Sequence, residues 1–327
     1  MLYPPKLTIP TILFAVLFTL MGQPSLSKEG EALRIDQEAQ QVANVKPVVL
    51  TVTVTNDRGE FVSGLKQESF SVLDEKTPQK ISYFNDQDIP VAVGILLDIS
   101  ASMSWQGGDA IKLRILQDAL ARFMELSNPL NEYFFVTFNE TPRVLQDWTT
   151  DASALLHKLS SVQSKGQTAF LDACYLGLDK IAHGRFSKQA LIVISDGENT
   201  DSHRTHGEVK RLLKESNVMV YSINVLSGHV DVGSSLGFEG QNNLNELSQI
   251  SGGMTFYRKE GRPLTPKDIR SVFETVAEEL RHQYLIGFEP SADKKWHQIK
   301  IKVSPEAGAP RERHHLTLRT RQGYFAN

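Results

Sequence analysis

Residues 48 to 55, VVLTVTVT, put Val48, Leu50, Val52 and Val54 on one face and threonines on the other, the period of two that predicts a half-buried strand. Asn56-Asp57-Arg58-Gly59 supplies a turn, and shorter strand-like runs follow at Phe61 to Ser63, Phe70 to Leu73 and Lys80 to Phe84. From Ile89-Pro90 onward the pattern changes to apolar runs of strand length that alternate with amphipathic segments of helix length. The predicted strands are Val91 to Leu97, Tyr133 to Phe138, Arg143 to Trp148, Ala190 to Ser195, Met219 to Val225 and Met254 to Tyr257. The predicted helices are Ala110 to Leu126, Ala152 to Leu159, Ala169 to Ala182, Glu208 to Ser216, Asn243 to Ile250 and Lys267 to His282; in the third, Leu171, Tyr175, Leu178 and Ile181 fall at helical spacing. After His282 strands return at Tyr284 to Phe288, Ile299 to Val303 and Leu316 to Thr320.

Strands alternating with helices give a parallel sheet covered on both faces. Four short strands before it and three after it each lack a facing sheet, whereas seven together close a sandwich. The fold class expected is therefore α/β: a doubly wound, mostly parallel sheet inserted in a β-sandwich made by the N- and C-terminal strands. The organisation expected is a signal peptide over 1–27, N-terminal strands over 28–89, the α/β domain over 90–282 and C-terminal strands over 283–327, pairing with 28–89.

The chain begins with Lys6 before an apolar stretch from Leu7 to Met21, then Gln-Pro and the small residues Ser25 and Ser27, which is a secretory signal pattern. The stretch is short against the ~20 apolar residues of a membrane span and contains Pro10. A membrane is a partner only if this segment stays uncleaved. No cysteine stands near the cleavage region, which excludes a lipoprotein anchor. The mature chain is expected to start near Lys28 and to be secreted or periplasmic.

Composition adds bounds. The 327 residues, 40% hydrophobic, can bury a sizeable core in more than one domain, and a net charge of −3 gives no general reason to expect nucleic acid as a partner. Arg311, Arg313, Arg319 and Arg321 gather near the end and read as solvated strand faces. The one cysteine, Cys174, excludes an internal disulfide and a cysteine-based zinc cluster, and its apolar neighbours indicate a buried thiol.

Chemistry is suggested where strands end. GILLDISASMS puts Asp98, Ser100 and Ser102 just beyond an apolar run, and LIVISDGENTD puts Asp196 in the same place on another. Ligands of doubly wound sheets bind beyond the carboxyl ends of the strands, so both carboxylates belong to one edge. The Gly-rich loop ending in GQTAF brings the Thr168 hydroxyl to that edge. Two carboxylates and three hydroxyls from three loops suit a hard cation, magnesium first, with manganese or calcium as alternatives. Few negative ligands leave such a cation electrophilic and able to take an acidic group from a partner.

The set Asp98-x-Ser100-x-Ser102, Thr168 in a Gly-x-Thr loop and Ser195-Asp196-Gly197 resembles the metal-ion-dependent adhesion site of von Willebrand factor type A domains, over about residues 90 to 282. In that family the first aspartate follows the central strand, the serines and threonine reach the metal directly or through water, and the last aspartate acts mainly through water. The resemblance implies non-enzymatic binding of a protein or peptide, commonly through an acidic side chain of the partner. VSGLKQESFSVLDEKTPQKISYF and the final GYF are similar to a bacterial group of secreted proteins carrying such a domain.

Other readings stand beside this one. Asp-x-Ser-x-Ser alone is equally a capped helix start. Glu198, Asn199 and Asp201 read as turn residues, and Trp105 as contact or packing. His203-x-x-His206 lacks the companions of a zinc site and reads as surface loop; His314-His315 reads as a solvated strand edge. Phe134, Phe135, Phe138 and Phe170 read as core. The long polar segment Ser227 to Asn242 is expected at the rim of the metal edge, where it shapes partner choice. The rivals are a magnesium-dependent phosphatase of haloacid dehalogenase type, and a structural module with an empty site. The phosphatase needs a second acidic residue two positions after its nucleophilic Asp, and position 100 is serine.

Overall fold

The computed structural model describes residues 47–103, 109–159, 162–225, 235–258, 264–291, 293–304 and 315–326. The signal segment, Trp105, Arg311, Arg313 and His314 lie outside them.

Six strands form the central sheet: Ala92–Asp98 (β5), Glu132–Phe138 (β6), Arg143–Thr149 (β7), Gln189–Ser195 (β8), Val218–Asn224 (β9) and Met254–Phe256 (β10), in the order β10-β9-β8-β5-β6-β7. All neighbours are parallel except β7, which closes one edge antiparallel to β6. β5, β6, β8 and β9 are buried almost throughout, as near-continuous apolar runs require when both faces are covered. Asp109–Leu126 (α1), Ala152–Leu159 (α2) and Pro266–Arg281 (α6) share one core with the sheet, built on Ile95, Ile192, Leu120 and Phe273. Phe170–Ile181 (α3), His206–Glu215 (α4) and Ser235–Ser251 (α5) share the other, with Phe134, Phe138, Phe170 and Cys174 inside it as predicted. Strand order reverses between β5 and β8, the switch point at which open α/β sheets leave a crevice.

The flanking strands form two four-stranded sheets. Val48–Thr55 (β1), Ile81–Asn85 (β4), Tyr284–Phe288 (β11) and Thr317–Arg319 (β13) make one, in the order β13-β1-β11-β4. Phe70–Asp74 (β2), Thr77–Gln79 (β3), Trp296–Val303 (β12) and Gly323–Phe325 (β14) make the other, in the order β14-β12-β2-β3. Strands from the two ends of the chain are interleaved: β1 pairs with β11 and β13, and β2 pairs with β12. Leu50, Val52 and Val54 from the first sheet pack with Val72, Ile299, Ile301 and Tyr324 from the second in one core. The α/β sheet is thus inserted in a sandwich, as the alternation predicts.

Some expectations are corrected. Phe61 to Ser63 contributes only a single bridge, Thr55 to Phe61, because Asn56 caps the turn on both sides and the chain leaves at once. β3 and β14, three residues each, carry too little pattern to announce themselves. The boundary of the fifth predicted helix also moves: α5 begins at Ser235 and not at Asn243, so residues 235–242 of the expected rim loop are helical and the connection from β9 is shorter. Gly237 and Gly240 weaken the helical signal there, yet Gly240 is required by the close approach described below. His206 opens α4 instead of lying in a loop, with Thr205 and Glu208 forming a capping box before it.

The expectation of solvated arginines also fails for Arg319 and Arg321. The Arg319 guanidinium lies 2.6 Å from Glu279 Oε2, and the Glu279 side chain is fully buried. Glu279 Oε1 accepts from Thr53 Oγ1 at 2.8 Å and from Tyr221 OH at 2.9 Å. One buried carboxylate on α6 therefore joins β1 and β13 of the sandwich to β9 of the central sheet. Arg321 hydrogen-bonds Asn217 and the Lys214 carbonyl at the end of α4. Arginine's planar fork suits such interfaces, where several acceptors converge.

Candidate metal centre

β5 ends at Asp98, whose side chain is fully buried. The chain then turns sharply: Ser100 N–H donates to Asp98 Oδ1 at 2.8 Å, and a 3-10 turn spans Ala101–Met103. This local bonding, typical of Asp and Ser, folds the next two hydroxyls back, and Ser100 Oγ lies 3.1 Å from Ser102 Oγ. Ser100 is buried and Ser102 half-buried.

The second loop is laced to the first by the backbone. Lys165 N–H donates to Ile99 O at 2.8 Å and Ala101 N–H to Gly166 O at 3.0 Å. This fixes the approach of Thr168, which is buried just before α3. The third loop is laced to the second: Thr168 N–H donates to Thr200 Oγ1 at 2.9 Å, while the N–H groups of Thr200 and Asp201 donate to Thr168 O at 2.9 and 3.1 Å.

Asp196 follows β8 in that third loop. Ser195 Oγ donates to Asp98 Oδ2 at 2.6 Å and accepts from Gly197 N–H at 2.9 Å, so one hydroxyl ties both aspartate-bearing loops together. Gly197 has φ +80°, and a Cβ there would lie 2.1 Å from Gly240 O, which is backbone of α5. Only glycine meets both demands. Asn243 Nδ2 then donates to Gly197 O at 2.9 Å, seating α5 against the loop.

The structure thus brings Asp98, Ser100, Ser102, Thr168 and Asp196 to one edge of the sheet, on loops hydrogen-bonded to one another. Ser195, Thr200 and Gly240 hold them, and sequence reasoning gave none of the three a role. Ser195 is the residue whose signal was available, since it ends the neighbouring apolar strand at the level of Asp98.

The electrostatics are unbalanced. Burial pushes the Asp98 carboxyl up to about 7, and the Asp196 charge adds to this; hydrogen bonds from Ser100 and Ser195 oppose it, and among the described residues no basic side chain does. Glu198 is raised for the same two reasons. Asp196 Oδ2 is buried with no hydrogen-bond partner among the described residues. Two buried carboxylates, one with an orphaned oxygen, are costly unless a cation joins them. Oxygen donors only, with hydroxyls outnumbering carboxylates, fit a hard divalent ion that keeps some of its waters. Among the described residues no group of three His, Cys, Asp or Glu side chains is placed to hold a metal; this set has two carboxylates and relies on hydroxyls. A cleft of about 630 Å³ lies between the end of α5 and the sandwich, lined by Gln249 and Gly252 on one side and Lys300, Arg319 and Arg321 on the other.

Residues 93–198 match the family model of the von Willebrand factor type A domain. The matched span, about a third of the chain, contains all five residues. The α/β sheet with its helices has the type A fold. The PilB minor pilin from Streptococcus sanguinis is similar at 13% identity and a TM-score of 0.46, over 61% of this chain and 62% of that one. This chain therefore spans about six-tenths of that pilin. An aerotolerance-related membrane protein from Bacteroides fragilis NCTC 9343 is similar at 18% identity and a TM-score of 0.44, over 58% and 98%. The vWF domain of the type V pili tip protein Mfa5 from Porphyromonas gingivalis is similar at 14% and 0.44, over 58% and 94%. No curated protein matches the chain. Among the described residues, no helix is long and apolar enough to cross a membrane.

Proposed function

We propose that this type A domain captures a protein or peptide partner through a divalent cation, magnesium or manganese, held by Asp98, Ser100, Ser102, Thr168 and Asp196. The observation that carries the reading is the pair of buried carboxylates with an orphaned Asp196 oxygen, at a switch point ringed by hydroxyls. Asp98 would supply charge from the end of β5, Ser100, Ser102 and Thr168 would supply neutral oxygens, and Asp196 would offer its free oxygen as an acceptor for bound water. When bound, the cation supplies an electrophilic coordination position. An acidic side chain of the partner suits that position, because the hydroxyl ligands are neutral and Asp196 would act through water, so the directly bound protein oxygens would carry a single negative charge.

The reading is non-enzymatic. A phosphatase using Asp98 as nucleophile needs an acid two positions on, and Ser100 instead folds back onto Asp98 through its own N–H. The N-terminal pattern from Lys6 to Ser27 supports export, so the partner is met outside the cytoplasm, in the periplasm or beyond. The test is selection of displayed peptides on the protein in magnesium, with elution by chelator. Peptides carrying Asp or Glu should be enriched and should lose binding when that residue becomes Asn or Gln; peptides retained equally in chelator would overturn the reading.

A further inference from the structure

Two buried acceptors at the ends of adjacent strands find no hydrogen-bond partner among the described residues, Asp196 Oδ2 and Asn224 Oδ1. Asn224 ends β9, is 3% exposed, and stands in register with Ser195 of β8. Ser195 in turn bonds Asp98 at the end of β5. The three side chains form a row across neighbouring strands, and side chains alternate across a pleated strand. Leu96, two positions before Asp98, and Val193, two before Ser195, lie in the core shared with α3 and α5. Ser222, two before Asn224, reaches the Leu244 carbonyl of α5. Asp98, Ser195 and Asn224 therefore project from the same face, the one on which Thr168 precedes α3.

The positions below it on this face are Ser222, whose hydroxyl is bonded to Leu244 O and Ser248 Oγ, and then the apolar Val220 and Val218, so Ser222 has its partners and Asn224 Oδ1 does not. Two side-chain donors of these loops are committed elsewhere: Asn243 Nδ2 goes to Gly197 O and the Ser195 hydroxyl to Asp98. Asp196 is itself an acceptor, so the two orphaned oxygens cannot satisfy each other. A buried acceptor calls for a donor, and a hydrated cation brings donors in its waters.

Resting on the reading of this edge as a cation site, we propose that Asn224 Oδ1 takes a hydrogen bond from a water on the divalent cation, making Asn224 a positioning residue for the ion. Groups that orient a metal's ligands and waters typically contribute 10–100-fold to its affinity. The test is titration of the full chain with Mn2+ alone, by calorimetry, in wild type, Asn224→Leu and Asn224→Asp. Leucine has nearly the shape of asparagine without an acceptor, and aspartate keeps the acceptor. The expected result is a Kd raised about 10-fold or more in N224L and a Kd at or below that of wild type in N224D, with both variants melting cooperatively in chelator. Wild-type affinity in N224L, or equal weakening in both variants, overturns the role given to Asn224 while leaving the cation site standing. Absence of Mn2+ binding in wild type overturns both.

Discussion

Removing the Arg319 guanidinium tests whether the sandwich and the type A fold are held by a buried charge. Glu279 is fully buried and Arg319 is 23% exposed, with 2.6 Å between Nη2 and Oε2. At an effective dielectric of about 20, opposite unit charges about 4 Å apart attract by roughly 4 kcal/mol. Stranding one partner of a buried pair costs about 3–5 kcal/mol, because its desolvation is no longer compensated. Arg319 keeps some contact with water, so the lower end applies, and Arg319→Met is expected to lose about 3 kcal/mol. Glu279→Gln leaves Arg319 with some access to water and is expected to lose about 1.5 kcal/mol with the charge-assisted bond, besides what the buried Lys188 loses, since Glu279 also favours its charged form. The double variant should then be more stable than R319M alone. Urea unfolding of the four proteins gives these numbers from the midpoints and slopes, and the R319M loss should hardly change with added salt, since a buried pair is poorly screened. A loss under about 1 kcal/mol in R319M, or additive losses in the double variant, would show a solvated, weakly coupled pair and refute the argument.

Because burial raises the Asp98 carboxyl to about 7, the metal-free protein holds a proton there below neutrality that a cation must displace. Mn2+ affinity is therefore expected to fall as pH drops from 8 to 6, and a constant Kd over that interval would count against the assignment. The sign for stability agrees: the contribution of protonated Asp98 is fully present below the unfolded pKa near 3.8 and is lost as pH rises through about 7 in chelator. Gly197→Ala should lose at least ~1–3 kcal/mol from the positive φ alone, with more from the contact with Gly240 O; unchanged melting would mean that α5 moves away freely. Residues 28–89 expressed alone should show no cooperative unfolding, because β1 and β2 take their partners from β11, β12 and β13, and fusion to 283–327 should restore it.

Much of the architecture is legible in residue pattern. The alternation in β1 and the apolar runs of β5, β8 and β9 carry their burial directly, since period and length are set by which faces are covered. Four of the five candidate ligands are legible as polar residues placed where apolar strands end, and Thr168 as a hydroxyl in the Gly-rich loop before α3. What could not be read depends on pairings distant in sequence. Arg319 looks like a surface charge until the fold sets it against Glu279, 40 residues away. Asn224 gains meaning only from the β8-β9 register, which sets it beside the Ser195 that bonds Asp98. α5 hides its first two turns because Gly237 and Gly240 break the helical pattern, one of them to let backbone meet backbone at Gly197.

The central claim, a divalent cation held at the carboxyl edge by Asp98 and its companions, is tested most directly by thermal unfolding of the full chain and its Asp98→Ala variant, in chelator and in Mg2+ or Mn2+. At a concentration of ~10 times the dissociation constant, linkage predicts about 1.4 kcal/mol of added stability in wild type and none in D98A. Equal shifts in the two proteins, or no shift in wild type at any metal concentration, would contradict it.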